Sequence, residues 1–303
     1  MGEVFKIRFS DRGSTPLISI GGFLDLIIGK AHVCGLYYLK LVGVEDLNMN
    51  DSVNDTPLKK YFIAYFDVLG YEDYVYSDNN SAIHLAQTLR KSIEFINARN
   101  KKAEQLDKEY AYKFRCFSDN FLLCSKYDQD LIESIAWLQF NLALDNIFVR
   151  GSFSFGELHF DKDFVFGKGI INAHKIESKV AIFPRIVVDN TYTAATSTSL
   201  SDNDDTLERG TVPVEYIGQI KSDFDGINFI DYLDCAKLKS DIGHWKFENG
   251  FCVELENHKK NIVRNIEKYS QGYNPTVLQK YKWLRNYHNN FCSEQGYSDI
   301  IVP

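Results

Sequence analysis

Proline is scarce in this chain, at 6 of 303 residues, and tryptophan and methionine are scarcer, at 3 and 2. So little proline, beside 19 glycines, excludes collagen and low-complexity linker proteins. Long hydrophobic runs are missing as well: no stretch reaches the roughly 18 apolar residues that a membrane-spanning helix needs. The opening MGEVFKIRFSDRG has no apolar core followed by a small-residue cleavage site, and Lys6 stands where a myristoylation signal wants Ser or Thr. A basic excess is lacking too. The 34 Lys and Arg against 41 Asp and Glu leave a formal charge of −7, which argues against general binding along a phosphate backbone but leaves room for a local basic site for one nucleotide. The six cysteines (Cys34, Cys116, Cys124, Cys235, Cys252, Cys292) contain no C-x-x-C pair, and the seven histidines show no H-x-x-x-H or H-E-x-x-H spacing. Zinc and disulfide scaffolds are therefore not expected, and the thiols read as reduced, mostly buried residues of a cytoplasmic protein.

What the sequence does have is a globular composition, 45% hydrophobic and 25% charged, with 14% aromatics that suit strands and stacking pockets. Residues 1–55 read as an arm of strands and a short helix, closed by the Asn- and Asp-rich NMNDSVNDTPLKK at 48–60. The better organised block, 56–200, opens on the hydrophobic strand YFIAYFDVLG at 61–70. A helix is expected over 81–108, capped by Ser81, with Ile83, Ala86, Leu89, Ile93 and Ile96 on its apolar face. A hairpin follows, 112–117 and 121–125 around Ser118-Asp119-Asn120. Next come a helix from Asp128 with Leu131, Ile135, Leu138 and Leu142 inward, and a strand over 148–155 that Gly156 ends. A further strand over 157–166, a helix over 169–180 and a strand over 182–188 complete the block. The β-α-β-β-α-β-β-α-β order predicts an α+β fold of ferredoxin-like type, an antiparallel-rich sheet with helices on one face. Ser, Thr, Asn and Asp crowd 193–209 into a loop, and 201–303 read as a strand and helical extension packed on the main domain.

Two acidic residues stand out. Asp67 closes a strand whose other residues are almost all apolar, and Asp119 sits in the turn between Phe117 and Phe121. An Asp alone at a turn is commonplace. Two carboxylates at neighbouring strand ends, framed by apolar side chains, suit a hard cation such as Mg²⁺ or Mn²⁺.

FDVLG at 66–70 and FSDN at 117–120, with VRG at 149–151, GKGIINAHKIE at 167–177, FPRIV at 183–187 and KYKWLRNYHN at 280–289, resemble the class III nucleotidyl cyclases, and within them the Pycsar group of bacterial anti-phage pyrimidine nucleotide cyclases. The likeness covers about 60–290. It implies a ferredoxin-like cyclase domain in which Asp67, Asp119 and the Val68 carbonyl hold two Mn²⁺ or Mg²⁺ ions. Amides around Val68, Leu69 and Gly70 would cradle phosphate. The 3′-hydroxyl of a nucleoside triphosphate would attack its α-phosphorus, giving a 3′,5′-cyclic nucleotide and pyrophosphate. By the same resemblance Arg115, four residues before Asp119, takes the base-reading position, and Phe164 stands where adenylate cyclases carry an acidic residue. A donor-only Arg matches uracil's oxygens, which favours UTP over CTP and both over purines, with Tyr65 or Phe164 narrowing the pocket. The family's transition-state Asn aligns with Ile171, which cannot donate, leaving that role vacant or shifted to Asn172; its Arg aligns with Lys175, which still meets a phosphate as a point charge. Arg150 and Arg185 read as structural, and the basic residues over 280–285 as a solvated helix face.

The expected protein is thus a cytoplasmic homodimer with the metal pair on one chain and the base pocket on the other, making cyclic UMP for a separate effector protein in anti-phage defence. Membranes and nucleic acids are not expected partners. A cytidylate cyclase, a catalytically inactive nucleotide-binding module and a GGDEF-like or polymerase-palm enzyme are the rival readings.

Overall fold

A computed structural model of the chain describes residues 58–106, 111–193, 219–272 and 274–303. The chain divides into two units, Met1–Val53 and Asn54–Pro303, and all described residues belong to the second. The expected N-terminal arm, the end of the first long helix and most of the 193–209 loop lie outside the described residues.

β1 (Lys59–Val68) has almost no polar residue between its ends because both of its faces are covered. Phe62, Ala64, Phe66 and Val68 enter one large hydrophobic cluster, while Tyr61, Ile63 and Tyr65 enter a separate one on the other face. After a short helix, α1 (Tyr71–Ser77), and the long α2 (Asn79–Leu106), the hairpin of β2 (Lys113–Phe117) and β3 (Asn120–Ser125) brings the chain back. α3 (Asp128–Leu144) leads to β4 (Val149–Phe160), a two-residue β5 (Val165–Phe166), α4 (Lys168–Lys179) and β6 (Ile186–Val188). β7 (Ile220–Ser222) and β8 (Asn228–Ile230) precede three helices, α5 (Tyr232–Asp241), α6 (Phe251–Gln271) and α7 (Pro275–Gln295), and a closing 3₁₀ turn (Ser298–Ile300).

The strands form one mixed sheet in the order β2-β3-β1-β4-β6-β8-β7, with β5 paired to β4. Strands β2, β3, β1 and β4 are antiparallel, and each crossover helix, α2 or α3, joins two strands that have a third between them. β6 lies parallel to β4, and β8 and β7 add on antiparallel. The chain after residue 218 therefore widens the same sheet before its helices join the main core.

Several expectations change. Helices cover both faces, not one: α2, α3, α5, α6 and α7 pack on the Phe62–Phe66 side, whereas Ala173 of α4 packs with Ile63 on the other. Gly156 does not end a strand. β4 runs through it to Phe160, and the glycine is there because α4 presses on it: a Cβ on Gly156 would stand 2.8 Å from Cα of Gly169. The expected strand over 157–166 is thus the end of β4, a turn and β5. Asp78, not Ser81, caps α2, its carboxylate accepting from the Ser81 amide at 2.9 Å. The buried stripe of α2 is Leu85, Thr88, Ser92 and Ile96, while Ile83 is exposed. Short hydroxyl residues face inward there because Thr88 donates to Asp145 and Ser92 to the Thr88 carbonyl. In α3 all four expected residues, Leu131, Ile135, Leu138 and Leu142, are buried. None of the described helices is long and apolar enough to cross a membrane.

Candidate functional site

The antiparallel register sets Asp67, near the end of β1, opposite Asn120 of β3 on one side and Arg150 of β4 on the other. Tyr65 and Asp67 point to the α4 face of the sheet. Beyond them the chain turns at once: the Val68 amide donates to the Asp119 carbonyl (3.0 Å), the Leu69 amide to the Phe148 carbonyl (2.7 Å), and Gly70 takes a left-handed φ of 71° before α1 begins. Two of the three amides expected to cradle phosphate are therefore committed to backbone bonds. The hairpin turn that carries Asp119 is itself tight, with Ser118 at a φ of 56°.

The Asp67 carboxylate is held by Arg150. Nε lies 3.1 Å from Oδ1 and 3.3 Å from Oδ2, and Nη2 lies 3.2 Å from Oδ2. The same guanidinium reaches Glu177 of α4 at 3.0 Å and the Ala181 carbonyl at 3.3 Å. Arg150 is therefore a member of the site rather than a remote structural residue. Burial pushes the Asp67 carboxyl up in spite of Arg150, and the charge of Asp119 adds to the push. Burial, followed by the charge of Asp67, lifts Glu177 to about 7. Lys280 of α7 feels the same group: burial and then Arg150 lower its pKa, while Asp67 and Glu177 work the other way. It is half-buried, not part of a solvated helix face.

Asp119 is fixed by a relay. The Tyr65 hydroxyl donates to Oδ1 of Asn120 (2.8 Å), and the Asn120 amide donates to Oδ1 of Asp119 (2.9 Å). Two carboxylates with only oxygen donors fit Mg²⁺ or Mn²⁺, and an ion on Asp67 would have to displace the guanidinium there. Among the described residues no three His, Cys, Asp or Glu side chains are already arranged as a metal cage.

The base-reading residues gather elsewhere. Arg115 on β2 is half-buried; it donates to the Asp161 carbonyl and lies over the Phe160 ring, 5.5 Å from its centre. Phe160 is at the opposite end of β4 from Arg150. The Phe164 amide donates to the Asp161 side chain (2.9 Å), and its half-exposed ring lies beside His159 and Phe166. Arg115 and Phe164 are thus brought together around Asp161, but not beside the Asp67 cluster. Asp161 itself is held down at about 2 by His159 and by the Phe164 and Asp163 amides.

Lys175 and Ile171 lie one turn apart on the exposed face of α4. Asn172 turns inward and donates to Asp189 (3.0 Å), so its amide is not free to replace the donor missing at Ile171. Arg185 is structural as expected, buried between Asp223 and Asp225. Trp283, Tyr281 and Tyr287 are core, also as expected. The described cysteines, Cys116, Cys124, Cys235, Cys252 and Cys292, are free thiols.

Sequence reasoning missed Glu177, Lys280 and Asn120 and discounted Arg150. A signal for Glu177 was present: it falls on the buried stripe of α4 with Gly169, Ala173 and Ile176, where a carboxylate must have a partner. The chain matches no protein-family model and no curated protein sequence.

Proposed function

We propose that the chain is a metal-dependent pyrimidine nucleotide cyclase of the ferredoxin-like class III type, converting UTP to 3′,5′-cyclic UMP and pyrophosphate. The observation that carries this reading is the convergence of Asp67 and Asp119, from β1 and the β2–β3 turn, at one strand end beside the cations Arg150 and Lys280. The antiparallel β2-β3-β1-β4 order with crossovers α2 and α3 supports the frame. When bound, the ions supply Lewis-acid activation of the 3′-hydroxyl and neutralise triphosphate charge. Asp67 and Asp119 would hold them, with the Val68 carbonyl, and the Tyr65–Asn120 relay orients Asp119. Arg115 donates to the uracil oxygens, and Phe164 offers a ring and no acceptor for an exocyclic amine.

Arg115 and Phe164 sit away from the Asp67 cluster, and Lys175 faces outward. This favours a homodimer in which one chain supplies the metal pair and the other the base pocket and Lys175. The product then acts on a separate effector in anti-phage defence, in the cytoplasm. Incubation of the four nucleoside triphosphates with Mn²⁺ tests the reading: pyrophosphate and cyclic UMP are expected, with UTP ahead of CTP. Mixing Asp67→Ala with Lys175→Ala chains tests the shared site, since one site of each mixed dimer stays intact and activity should return. No recovery after verified chain exchange counts against it.

A second reading, a nucleotide-binding module without turnover, is favoured by the guanidinium seated on Asp67 and by Ile171 in place of a donor. Binding of UTP without pyrophosphate release would establish it.

A further inference from the structure

α7 is joined to the turn that follows β1 through two aromatic neighbours. Tyr281 meets the Phe148 ring edge-on (5.7 Å between centres) and stacks on Tyr269 (5.4 Å). The Phe148 carbonyl is the one that receives the Leu69 amide, and the Tyr269 hydroxyl lies 3.8 Å from where a Cβ on Gly70 would stand. Through Phe148 and Tyr269 these contacts hold the second turn of α7 near the Leu69–Gly70 turn, and with it Lys280, the residue before Tyr281. Burial and then the charge of Arg150 both disfavour the protonated amine. No carboxylate among the described residues comes within ion-pair distance of it, although Asp67 and Glu177 are near enough to influence it. The nearer carboxylates are already taken by Arg150.

A half-buried cation without a direct counter-charge is costly to keep. It lies within electrostatic reach of a second cation, Arg150, and is borne by the helix whose Tyr281 packs on Phe148. Its missing partner is an anion that enters from outside, and a compact ammonium suits phosphate oxygens as a point charge.

We propose that Lys280 is a phosphate-binding residue, supplied by the C-terminal helix, which takes the terminal phosphates of the nucleotide bound at the Asp67–Asp119 site. The inference deepens the nucleotide reading and rests on it. The alternative role of Lys280, an aliphatic stem covering apolar surface, is separable because methionine keeps the stem and loses the charge.

Inorganic tripolyphosphate, with Mg²⁺ present, is titrated calorimetrically into the full chain and into Lys280→Met, Lys280→Gln and Lys280→Arg. The parent should bind. Lys280→Met and Lys280→Gln should each lose about tenfold or more in affinity, and Lys280→Arg should stay within about threefold. UMP, which lacks the terminal phosphates, should bind each folded variant as it binds the parent. The glutamine variant serves if the methionine variant fails to fold. Unchanged tripolyphosphate affinity in the neutral variants, or no binding by the parent, overturns the proposal. If the tripolyphosphate results are as expected but UTP with Mn²⁺ releases no pyrophosphate, the cyclase reading fails and Lys280 remains a phosphate-binding residue.

Discussion

Two arginines in this chain each hold a pair of carboxylates, and they differ in every other respect. Arg185 is 1% exposed and bonds Asp223 and both oxygens of Asp225. Phe183, Phe229 and Trp283 enclose its guanidinium, and the indole N–H of Trp283 donates to Asp223 at 2.7 Å. Burial works against the Asp225 carboxylate, yet the bonds from Arg185 and the Ile227 amide hold it below its ordinary value. Arg150 is 24% exposed, its carboxyls Asp67 and Glu177 are both raised, and a second cation stands beside it. In the first cluster a buried guanidinium, enclosed by rings, is bonded to both of its carboxylates, as in a structural ion pair. In the second the guanidinium is partly exposed and both carboxyls are raised, the condition in which a charged site is open to a ligand.

The sharpest test of that difference is to neutralise each arginine. Arg185→Met should cost about 3 kcal/mol of stability, because a buried cation is lost and the partly exposed Asp223 and Asp225 keep no counter-charge. Arg150→Met should cost about 1 kcal/mol, because Asp67 and Glu177 are already inclined to take up a proton and the site is partly screened by water. Urea unfolding of the two variants measures both, and equal losses would erase the distinction.

Next in size is catalysis. Asp67→Ala and Asp119→Ala should each reduce UTP turnover by more than about 10²-fold at saturating Mn²⁺, with an unchanged circular dichroism spectrum. Full activity in either variant would remove the metal assignment.

A smaller effect concerns pH. Glu177 titrates at about 7 in the folded chain, against a reference of 4.5. Its protonated form therefore favours folding: that contribution is complete below pH 4.5 and is lost as pH rises through 7. Glu177→Gln, which is permanently neutral, should gain on the parent by about 1–3 kcal/mol between pH 5 and pH 8 in the presence of a chelator. A constant difference across that range in urea titrations would contradict the shift.

The least effect is expected at the base. Arg115→Ala should lower kcat/KM for UTP by about tenfold and for ATP hardly at all, flattening the preference among triphosphates. Competition assays with mixed triphosphates measure this, and an unaltered preference would exclude Arg115 as the reader.

How much of this was legible in the sequence follows from the range over which each feature is determined. Asp67 and Asp119 were readable because a carboxylate in an apolar frame is a local anomaly. So were the β2–β3 hairpin and α3, whose turn residues and helical periodicity are local too. Arg150 was not, because it meets Asp67 through the pairing of two strands 83 residues apart. Lys280 is placed by Tyr281 of α7 packing on Phe148 and Tyr269, which periodicity cannot supply. The phase of α2 was missed for a different reason: its inward stripe includes Thr88 and Ser92, whose polar atoms are satisfied within the fold. A search for apolar spacing alone rotates such a helix to the wrong side.

The contact of Gly156 with Gly169 has a mechanical consequence. With no side chain between β4 and the first turn of α4, backbone rests on backbone there, and that turn is where the helix lies nearest the sheet. Glu177 sits about 12 Å along the axis from Gly169. A swing of about 10° at the glycine fulcrum therefore carries its carboxylate through about 2 Å, enough to open its 3.0 Å contact with Arg150. The exposed flank of α4, at Ile171 and Lys175, thus belongs to the same rigid arm as the carboxylate that contacts the guanidinium on Asp67.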